Sequence, residues 1–170
     1  MIRRPPRSTP KPSSAASDVY KRQVLKIPLR QITGNINHQY IKIHLKIKEV
    51  KNDRAYTEFI GFEQVREYLR RNVRRRRSMV RVIEVYESKD GVKFQLYAYI
   101  FTASKIDTSL KSVIRKATME ELKKQSSSTT FENFIKKCMY GEMSMHLLKN
   151  LKKFTRLKRI EIYKCEVPPR

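Results

Sequence analysis

The sequence predicts an α+β domain with a curved, mostly antiparallel sheet and packed helices; closure of that sheet into a barrel is an alternative. Two segments in which every second residue is apolar predict strands with one buried face. In the second half of the chain, apolar residues recur every three or four positions, which is typical of amphipathic helices. The expected order of elements is β-β-α-β-β-α-α-α-β, in a single domain of residues 24–170.

Residues 1–23 differ from the rest of the chain. They contain four of the seven prolines and no apolar periodicity, and they closely resemble the translation of a sequencing-library adapter. We therefore expect an artefactual or disordered tail, with the natural chain beginning upstream of Val24. This stretch lacks the apolar region of about 7–15 residues that a signal peptide requires. Without its six basic residues and one acid, the net charge falls from +23 to +18.

A first β-hairpin is predicted after the Thr-Gly-Asn turn at residues 33–35. Residues 41–48 alternate strictly between apolar and polar, and residues 55–61 return as the partner strand after a turn at residues 51–54. One face of this hairpin is expected in the core, and His44 is expected on the exposed face. The two faces are formed by Ile41, Ile43, Leu45 and Ile47 and by Lys42, His44, Lys46 and Lys48.

The most basic segment of the chain is predicted to be a helix within residues 61–85. Residues 66–82 carry eight arginines and one acid. On a helix, the apolar side chains form one stripe and four of the arginines form a neighbouring face, about 5–6 Å apart along the axis. The stripe is Phe62, Val65, Leu69 and Val73, and the arginine face is Arg66, Arg70, Arg74 and Arg77.

This arginine face is suited to a nucleic-acid strand, because planar guanidinium groups at that spacing can each bind a different phosphate. The four consecutive arginines repel one another, so a bound polyanion is expected to stabilise them. A solvated arginine face without a partner is the alternative interpretation. The consecutive residues are Arg74, Arg75, Arg76 and Arg77.

A second hairpin is predicted from residues 79–87 and 92–101, with an Asp-Gly turn at residues 89–91 that supplies the positive φ angles of a tight connection. Tyr97 and Tyr99 lie on one face of its second strand, where they either stack on unpaired bases or pack beneath another element. The opposite, core-facing side is formed by Phe94, Leu96, Ala98 and Ile100.

Three helices and a strand complete the domain. A helix over residues 109–124 is followed by a polar linker at residues 125–130, and Thr130 is expected to cap the next helix. Gly141 ends that helix, a third helix follows, and a strand is predicted at residues 157–167. The inward side chains of the three helices are Leu110, Val113, Ile114, Ala117 and Leu122, then Phe134, Ile135 and Cys138, then Met143, Leu147, Leu151 and Phe154.

The composition points to a polyanionic partner. A net charge of +23 and a pI of about 10.3 exceed what solubility requires, and nucleic acid is the expected partner. The sequence has no run of about 18–20 apolar residues, so no membrane span is predicted. Cys138 and Cys165 are too few for a disulfide framework and, like the three histidines, lack metal-ligand spacing. We expect both cysteines to be reduced core residues of an intracellular protein, without a metal or cofactor.

A series of short motifs occurs in a defined order: ITGN at 32–35, DRAYT at 53–57, FIG at 59–61, REYLR at 66–70, KDG at 89–91, IRK at 114–116, FENF at 131–134 and RIEI at 159–162. In their order and spacing, residues 24–167 resemble the archaeal and eukaryotic small-subunit ribosomal protein family called S-three-A, or S-one-e, in its shorter archaeal form. No single motif is specific, but their succession is.

The resemblance implies a structural constituent of the cytoplasmic small ribosomal subunit, on its platform near the messenger exit side. It implies small-subunit ribosomal RNA and neighbouring ribosomal proteins as partners, and neither an enzymatic activity nor a small-molecule substrate. Phosphate neutralisation and shape recognition suit such a role. The residues expected to bind RNA are Arg66, Arg70, Arg71, Arg74, Arg75, Arg76, Arg77, Arg81, Lys105, Lys111, Arg115, Lys116, Lys158 and Arg159.

The chain departs from the family pattern at four positions. Family members tend to have arginine, glutamine, arginine and proline where this chain has Lys105, Leu110, Ser112 and Arg156. The resemblance alone therefore does not support an RNA contact at Lys105. The basic residues Lys111, Arg115 and Lys116 remain candidates on the helix that follows.

Three alternative functions differ in what they require. An enzyme acting on RNA needs paired carboxylates, an activated nucleophile or a glycine-rich loop, whereas the four glycines here are isolated at turns or breaks. A free-standing RNA-binding translation factor could have this same composition and is the main alternative. Binding to a membrane surface is disfavoured, because no helix pairs a basic face with a large aromatic one.

Overall fold

The computed structural model describes residues 23–51 and 54–168, so the expected tail lies outside the described residues except for Gln23. The described strands are β1 (Val24–Pro28), β2 (Ile41–Lys51), β3 (Arg54–Gln64), β4 (Met79–Glu87), β5 (Lys93–Thr102) and β6 (Leu157–Glu166). The described α-helices are α1 (Leu29–Thr33), α2 (Arg66–Arg70), α3 (Thr108–Ser128), α4 (Phe131–Met139) and α5 (Glu142–Leu151), with a 3-10 turn at Ile36–His38.

The strands form one sheet in the order β1-β2-β3-β6-β5-β4, and every neighbouring pair is antiparallel. The predicted α+β class with an antiparallel sheet is confirmed. Among the described strands, β1 and β4 are the two edges, so this sheet does not close into a barrel. Because β6 inserts between β3 and β5, the connection from β3 to β4 has to cross the ends of β6 and β5. That connection carries seven arginines, which lie between Arg66 and Arg77.

Helices α3, α4 and α5 cover one face of the sheet. Ile114, Phe134 and Leu147 of these helices are fully buried in one core with Phe94 and Ile100 of β5. The rings of Phe94 and Phe134 lie 5.2 Å apart and tilted, a favourable aromatic arrangement. The predicted core face of β5 is therefore confirmed, and each large buried side chain contributes about 1.5–3 kcal/mol.

Both cysteines are free and buried, as predicted. Cys138 lies in α4 and Cys165 lies in β6, and both belong to the core cluster. Burial raises the pKa of both thiols above the ordinary value, so they are protonated at neutral pH. Without a thiolate they are packing groups rather than nucleophiles or metal ligands.

The long arginine helix predicted within residues 61–85 is wrong. The strand β3 continues through Gln64, and only the five residues Arg66–Arg70 form α2. Phe62 belongs to the strand, where it lies opposite Cys165 of β6 and is fully buried. Its spacing from neighbouring apolar residues is compatible with either a helix or a strand, and burial in the sheet outweighs local helix propensity.

The linker predicted at residues 125–130 is wrong over its first part, because α3 continues to Ser128. The Ser126 hydroxyl donates to the Lys123 carbonyl (3.0 Å), so a polar residue is accommodated in the last turns. Leu122 and Ser126 are both buried one turn apart on the same side of the helix. Packing against the rest of the domain thus extends the helix beyond its apolar periodicity.

Two side-chain predictions also fail, because the packing element was unknown, whereas the N-cap position of Thr130 is as predicted. Val113, predicted to point inward, is 45% exposed. His44, predicted on the surface, is buried, and its Nε2 lies 3.3 Å from Glu63 Oε1 on the neighbouring strand. Thr130 occupies the N-cap position of α4, but its side chain makes no capping hydrogen bond.

Within residues 23–51 and 54–168, none of the helices combines the length and apolarity needed to cross a bilayer. The same residues contain no group of three or more His, Cys, Asp or Glu side chains placed to hold a metal ion.

Candidate nucleic-acid interface

The connection between β3 and β4 consists of α2 and an arginine loop, which we define as residues 71–78. Arg66 and Arg70 of α2 are exposed, as are four of the five arginines in the loop, while Arg77 is partly buried. Arg76 adopts φ 60°, a left-handed conformation that is uncommon for residues other than glycine. The loop therefore turns sharply, and its arginines do not form one helical face.

Hydrogen bonds to β5 fasten the last residue of the arginine loop. The Ser78 backbone N–H donates to Thr102 Oγ1 (2.9 Å), and the Ser78 carbonyl accepts from the Thr102 backbone N–H (3.0 Å). The Ile106 backbone N–H donates to Ser78 Oγ (3.2 Å). Because Ser78 and Thr102 are both buried, these bonds are shielded from water. They also bring the exposed Lys105 beside the end of the arginine loop.

Hydrogen bonds to a buried carboxylate hold the first part of the β3–β4 connection, at α2. Glu161 of β6 is buried and accepts hydrogen bonds from Gln64 Nε2 (3.1 Å) and from the Tyr68 hydroxyl (3.3 Å). Arg159 forms an ion pair with the same carboxylate, and its guanidinium carbon lies 5.4 Å from the centre of the Tyr68 ring. Tyr68 in turn stacks on Tyr40, with ring centres 4.5 Å apart. Helix α2 is thereby held against the start of β6.

Tyr68 is suited to this donor role. Burial, reinforced by the negative charge of Glu161, raises its pKa above the ordinary value of tyrosine. The hydroxyl therefore stays protonated at physiological pH and can donate a hydrogen bond to the carboxylate.

Like charges converge where the arginine loop meets β6. The positive charge of Arg77, followed by burial and by the charges of Arg74 and Arg159, lowers the pKa of Lys158 below its ordinary value. An exposed lysine shows such an effect only when several cations lie close to it. The carboxylate of Glu161 already pairs with Arg159. The result is a concentrated positive surface formed by two segments far apart in the sequence.

A second basic group lies along the edge strand β4. Arg81 is exposed three residues after the arginine loop, and the Arg115 Nε donates to its backbone carbonyl (3.3 Å). Lys111 precedes Arg115 by one turn of α3 and is partly buried, and the adjacent Lys116 is exposed. The start of α3 therefore extends the positive surface from the arginine loop along the edge of the sheet.

All fourteen residues predicted to bind RNA reach solvent, and the structure brings most of them to one end of the sheet. The predicted alignment of Arg66, Arg70, Arg74 and Arg77 along one helix is wrong, because the last two lie in the arginine loop. RNA binding by these residues stays a prediction. No local sequence pattern indicates a role for Gln64, Tyr68 and Glu161, since their contacts join residues 93 and 97 positions apart.

A sequence model described as the Ribosomal S3Ae family matches residues 7–169 of this chain. The matched range begins within the expected tail of residues 1–23, whose nature remains a prediction.

Curated proteins similar to this chain are named small ribosomal subunit protein eS1. The protein from Archaeoglobus fulgidus is 34% identical over 158 residues, which cover 92% of this chain and 74% of the relative. The protein from Methanococcus vannielii is 32% identical over 145 residues, which cover 85% of this chain and 66% of the relative. The protein from Methanothermobacter thermautotrophicus is 31% identical over 156 residues, which cover 92% of this chain and 80% of the relative. The chain thus spans about two thirds to four fifths of the length of these relatives.

Proposed function

Because the chain belongs to the Ribosomal S3Ae family, we propose that α2, the arginine loop and the start of β6 bind ribosomal RNA of the small subunit. The chain is a structural constituent of the small ribosomal subunit, which is cytoplasmic in archaea. Its proposed role is to hold RNA in place through many phosphate contacts.

Six exposed arginines of α2 and the arginine loop, together with Arg159 held against the Tyr68 ring of α2, carry this proposal. The lowered pKa of Lys158, caused first by the charge of Arg77, supports it. Cations crowded together repel one another in the free protein, and this repulsion destabilises the folded state. A phosphate strand lying across the cluster relieves that repulsion and releases its own condensed counterions. The arrangement therefore supports binding to a densely charged polyanion better than binding to single acidic groups.

The mode of binding we propose is recognition of backbone and shape. Arginine and lysine contacts to phosphates fix the orientation of the protein without reading base edges. By resemblance to the family, we place the protein on the platform of the subunit, near the messenger exit side, with other ribosomal proteins beside it.

We propose no catalytic role, and the family is one of ribosomal proteins, not enzymes. Hydrolysis of RNA by a metal-dependent enzyme requires carboxylates free to coordinate metal ions. On the sheet face without helices, Glu63, Glu161 and Glu166 are each engaged by a basic side chain. Specific cleavage of ribosomal RNA by the purified protein with magnesium would contradict this part of the proposal.

The decisive experiment measures how RNA affinity depends on salt. Binding to a small-subunit ribosomal RNA fragment is measured at a series of potassium concentrations. The proteins compared are the full chain and its triple variant Arg66→Gln, Arg70→Gln, Arg74→Gln. We expect weaker binding by the variant, with a slope of log affinity against log salt that is lower by about 0.7–0.9 for each lost phosphate contact.

A charge-matched control separates a specific surface from a general effect of net charge. Lys89, Lys93 and Lys123 are exposed near the opposite end of the sheet, around the β4–β5 turn. Replacing these three lysines with glutamine removes the same charge and should change the slope much less. Equal slopes for the two triple variants would show that the arginine surface is not the RNA-binding surface.

Fractionation distinguishes the constituent from the alternative, a free-standing translation factor. On a sucrose gradient of cell extract, the constituent should follow the small subunit in salt that strips loosely bound factors. A protein that remains mainly at the top of the gradient would favour the alternative.

A further inference from the structure

The second face of the sheet carries a cluster of tyrosines. Helices α3 to α5 pack on the opposite face, where the core residues of β5 point. Tyr97 and Tyr99 alternate with those core residues and are partly exposed, as is Tyr163 of β6. The rings of Tyr99 and Tyr163 meet edge to face, with centres 5.6 Å apart, which places both on the same side. We call Tyr97, Tyr99 and Tyr163 the tyrosine face.

Cationic side chains lie between these rings. Lys164 Nζ lies 5.6 Å from the centre of the Tyr97 ring. Arg81 of β4 is directly opposite Tyr99 in the strand register. Tyr163 lies close enough to Arg66 to raise the pKa of that guanidinium above its ordinary value. Each tyrosine therefore has a basic side chain beside it, in the pattern that nucleic-acid-binding sheets use.

The remaining side chains on this face are compatible with bases as partners. Met79 and Val85 of β4 are 46% and 54% exposed and share the face with Arg81, since all three occupy alternate positions of one strand. The carboxylate of Glu166 pairs with Lys164 and that of Glu161 pairs with Arg159, so these two acids have basic partners. Apolar, aromatic and cationic groups together suit an RNA strand whose bases are unpaired.

The tyrosine face is continuous with the proposed phosphate-binding surface. Helix α2 lies next to both, because the Tyr68 hydroxyl donates to Glu161, which is directly opposite Tyr99 in the strand register. An RNA strand whose phosphates contact the arginine loop can therefore extend onto the tyrosine face. In a duplex the bases are stacked on each other, so only a single strand can place bases on these rings.

We propose that the tyrosine face binds unpaired nucleotides of ribosomal RNA by stacking bases on Tyr97, Tyr99 and Tyr163. This inference rests on the proposed function and adds to it a class of RNA structure, a single-stranded segment adjoining the phosphate-binding surface. A neighbouring protein segment is the competing occupant, and the experiment below distinguishes the two.

The test uses the full chain and two RNA decamers with the same number of phosphates, a single strand of mixed sequence and the same strand with three adjacent abasic nucleotides. Affinities are measured by fluorescence anisotropy at one fixed salt concentration. If bases stack on the tyrosines, the intact strand should bind about tenfold more tightly for each stacked base. The unmodified protein suffices for this comparison, so it does not depend on whether a variant folds.

Three variants assign the effect to this face. The double variant Tyr97→Leu, Tyr99→Leu should lose most of the preference for the intact strand, since only Tyr163 remains to stack. Tyr97→Phe, Tyr99→Phe should keep it, because phenylalanine retains a stacking ring. Tyr56→Leu is the matched control: Tyr56 is 56% exposed and lies near the β2–β3 turn, outside the part of β3 that pairs with β6. Its preference for the intact strand should equal that of the unmodified protein.

The outcomes separate the two proposals. Equal affinity for the intact and abasic strands, with a steep salt dependence, would overturn base stacking and leave the proposed function in place. A leucine double variant that keeps the full preference would also overturn the inference and make the face available to a protein partner. No binding of either strand, or of ribosomal RNA, at physiological salt would contradict the proposed function itself.

Discussion

The carboxylate of Asp90 accepts a hydrogen bond from the backbone N–H of Phe131, 41 residues later, at 2.8 Å. Asp90 lies at the tip of the β4–β5 hairpin, and Phe131 is the first residue of α4. The preceding residue, Thr130, is a common capping type but makes no side-chain bond to the helix. A carboxylate from another element therefore satisfies one free N–H at this helix end and favourably opposes the helix dipole.

Replacing Asp90 with alanine should lower the free energy of unfolding by about 1 kcal/mol, as for other lost helix caps. For a domain of this size the melting temperature should fall by about 2–4 °C. Asp90→Asn should retain most of the stability, because its side-chain oxygen can still accept the bond. The measurement is thermal unfolding followed by circular dichroism.

Asp107→Ala provides the comparison, since Asp107 occupies the N-cap position of α3 without a side-chain capping bond. Its effect should be smaller than that of Asp90→Ala. Equal destabilisation by the two substitutions would show that the Asp90 bond contributes nothing specific.

Gly61 permits the close approach of β3 and β6. A Cβ atom added there would overlap the backbone carbonyl oxygen of Cys165 and lie 3.1 Å from its carbon. Since both contacts involve backbone, no side-chain rotation can relieve them, and the central strand pair has to separate. Gly61→Ala should therefore cost at least about 2–3 kcal/mol in unfolding free energy, measured by urea denaturation.

Gly34→Ala tests whether space or backbone conformation matters more. Gly34 has φ +68°, and an added Cβ would meet nothing within 4 Å, so its cost should be about 1 kcal/mol from conformation alone. If Gly34→Ala were the more destabilising of the two, the interpretation of Gly61 as a steric requirement would be wrong.

The buried Glu161 carboxylate links three donors, Gln64, Tyr68 and Arg159. Glu161→Gln replaces one acceptor oxygen by an NH2 group that faces these donors, and it leaves Arg159 without its counter-charge. We expect a loss of about 1–3 kcal/mol in unfolding free energy, together with faster amide hydrogen exchange in α2.

Glu166→Gln is the matched substitution on the same strand, because Glu166 pairs with Lys164 at a partly exposed position. Exposed ion pairs contribute about 1 kcal/mol or less, so this variant should remain close to the unmodified protein. Unchanged exchange in α2 after Glu161→Gln would argue against Glu161 as the group that holds this helix.

The proximity of Arg77 and Lys158 can be measured directly. Since the charge of Arg77 is the largest cause of the lowered pKa of Lys158, Arg77→Gln should raise that pKa toward the ordinary value of lysine. A titration of the Lys158 amino group followed by NMR gives the result. Added salt should shift the pKa of the unmodified protein in the same direction, because it screens repulsion between exposed charges.

Arg115→Gln removes an arginine whose charge is not among the causes of the Lys158 shift. The titration of Lys158 should then stay as in the unmodified protein. A response to Arg115→Gln as large as that to Arg77→Gln would mean that the pKa reflects net charge instead of local crowding.

Several elements were predictable because their signal is local. The alternation in residues 93–100 places Phe94 and Leu96 in the core, and the Asp-Gly turn fits the observed hairpin between β4 and β5. The helix α4 was predicted with its buried residues Phe134 and Cys138. In each case neighbouring residues determine both the backbone conformation and the buried side.

The arginine helix could not be predicted correctly from local pattern. Phe62 fits a helical stripe with Leu69 and equally fits a strand, and the choice depends on β6, which supplies Cys165 as its partner about a hundred residues later. In the same way, no spacing indicated that Gln64 and Tyr68 would meet Glu161.

By itself, the sequence determined the large positive charge, the α+β class, most strands and the buried side of the later helices, since these follow from composition and from periods of two and 3.6 residues. Only the tertiary structure decided which cations converge and which tyrosines remain on the uncovered face. The physical reason is that strand pairing and burial depend on contacts between distant segments. Insertion of β6 between β3 and β5 sends the arginine loop across the end of the sheet and beside Lys158.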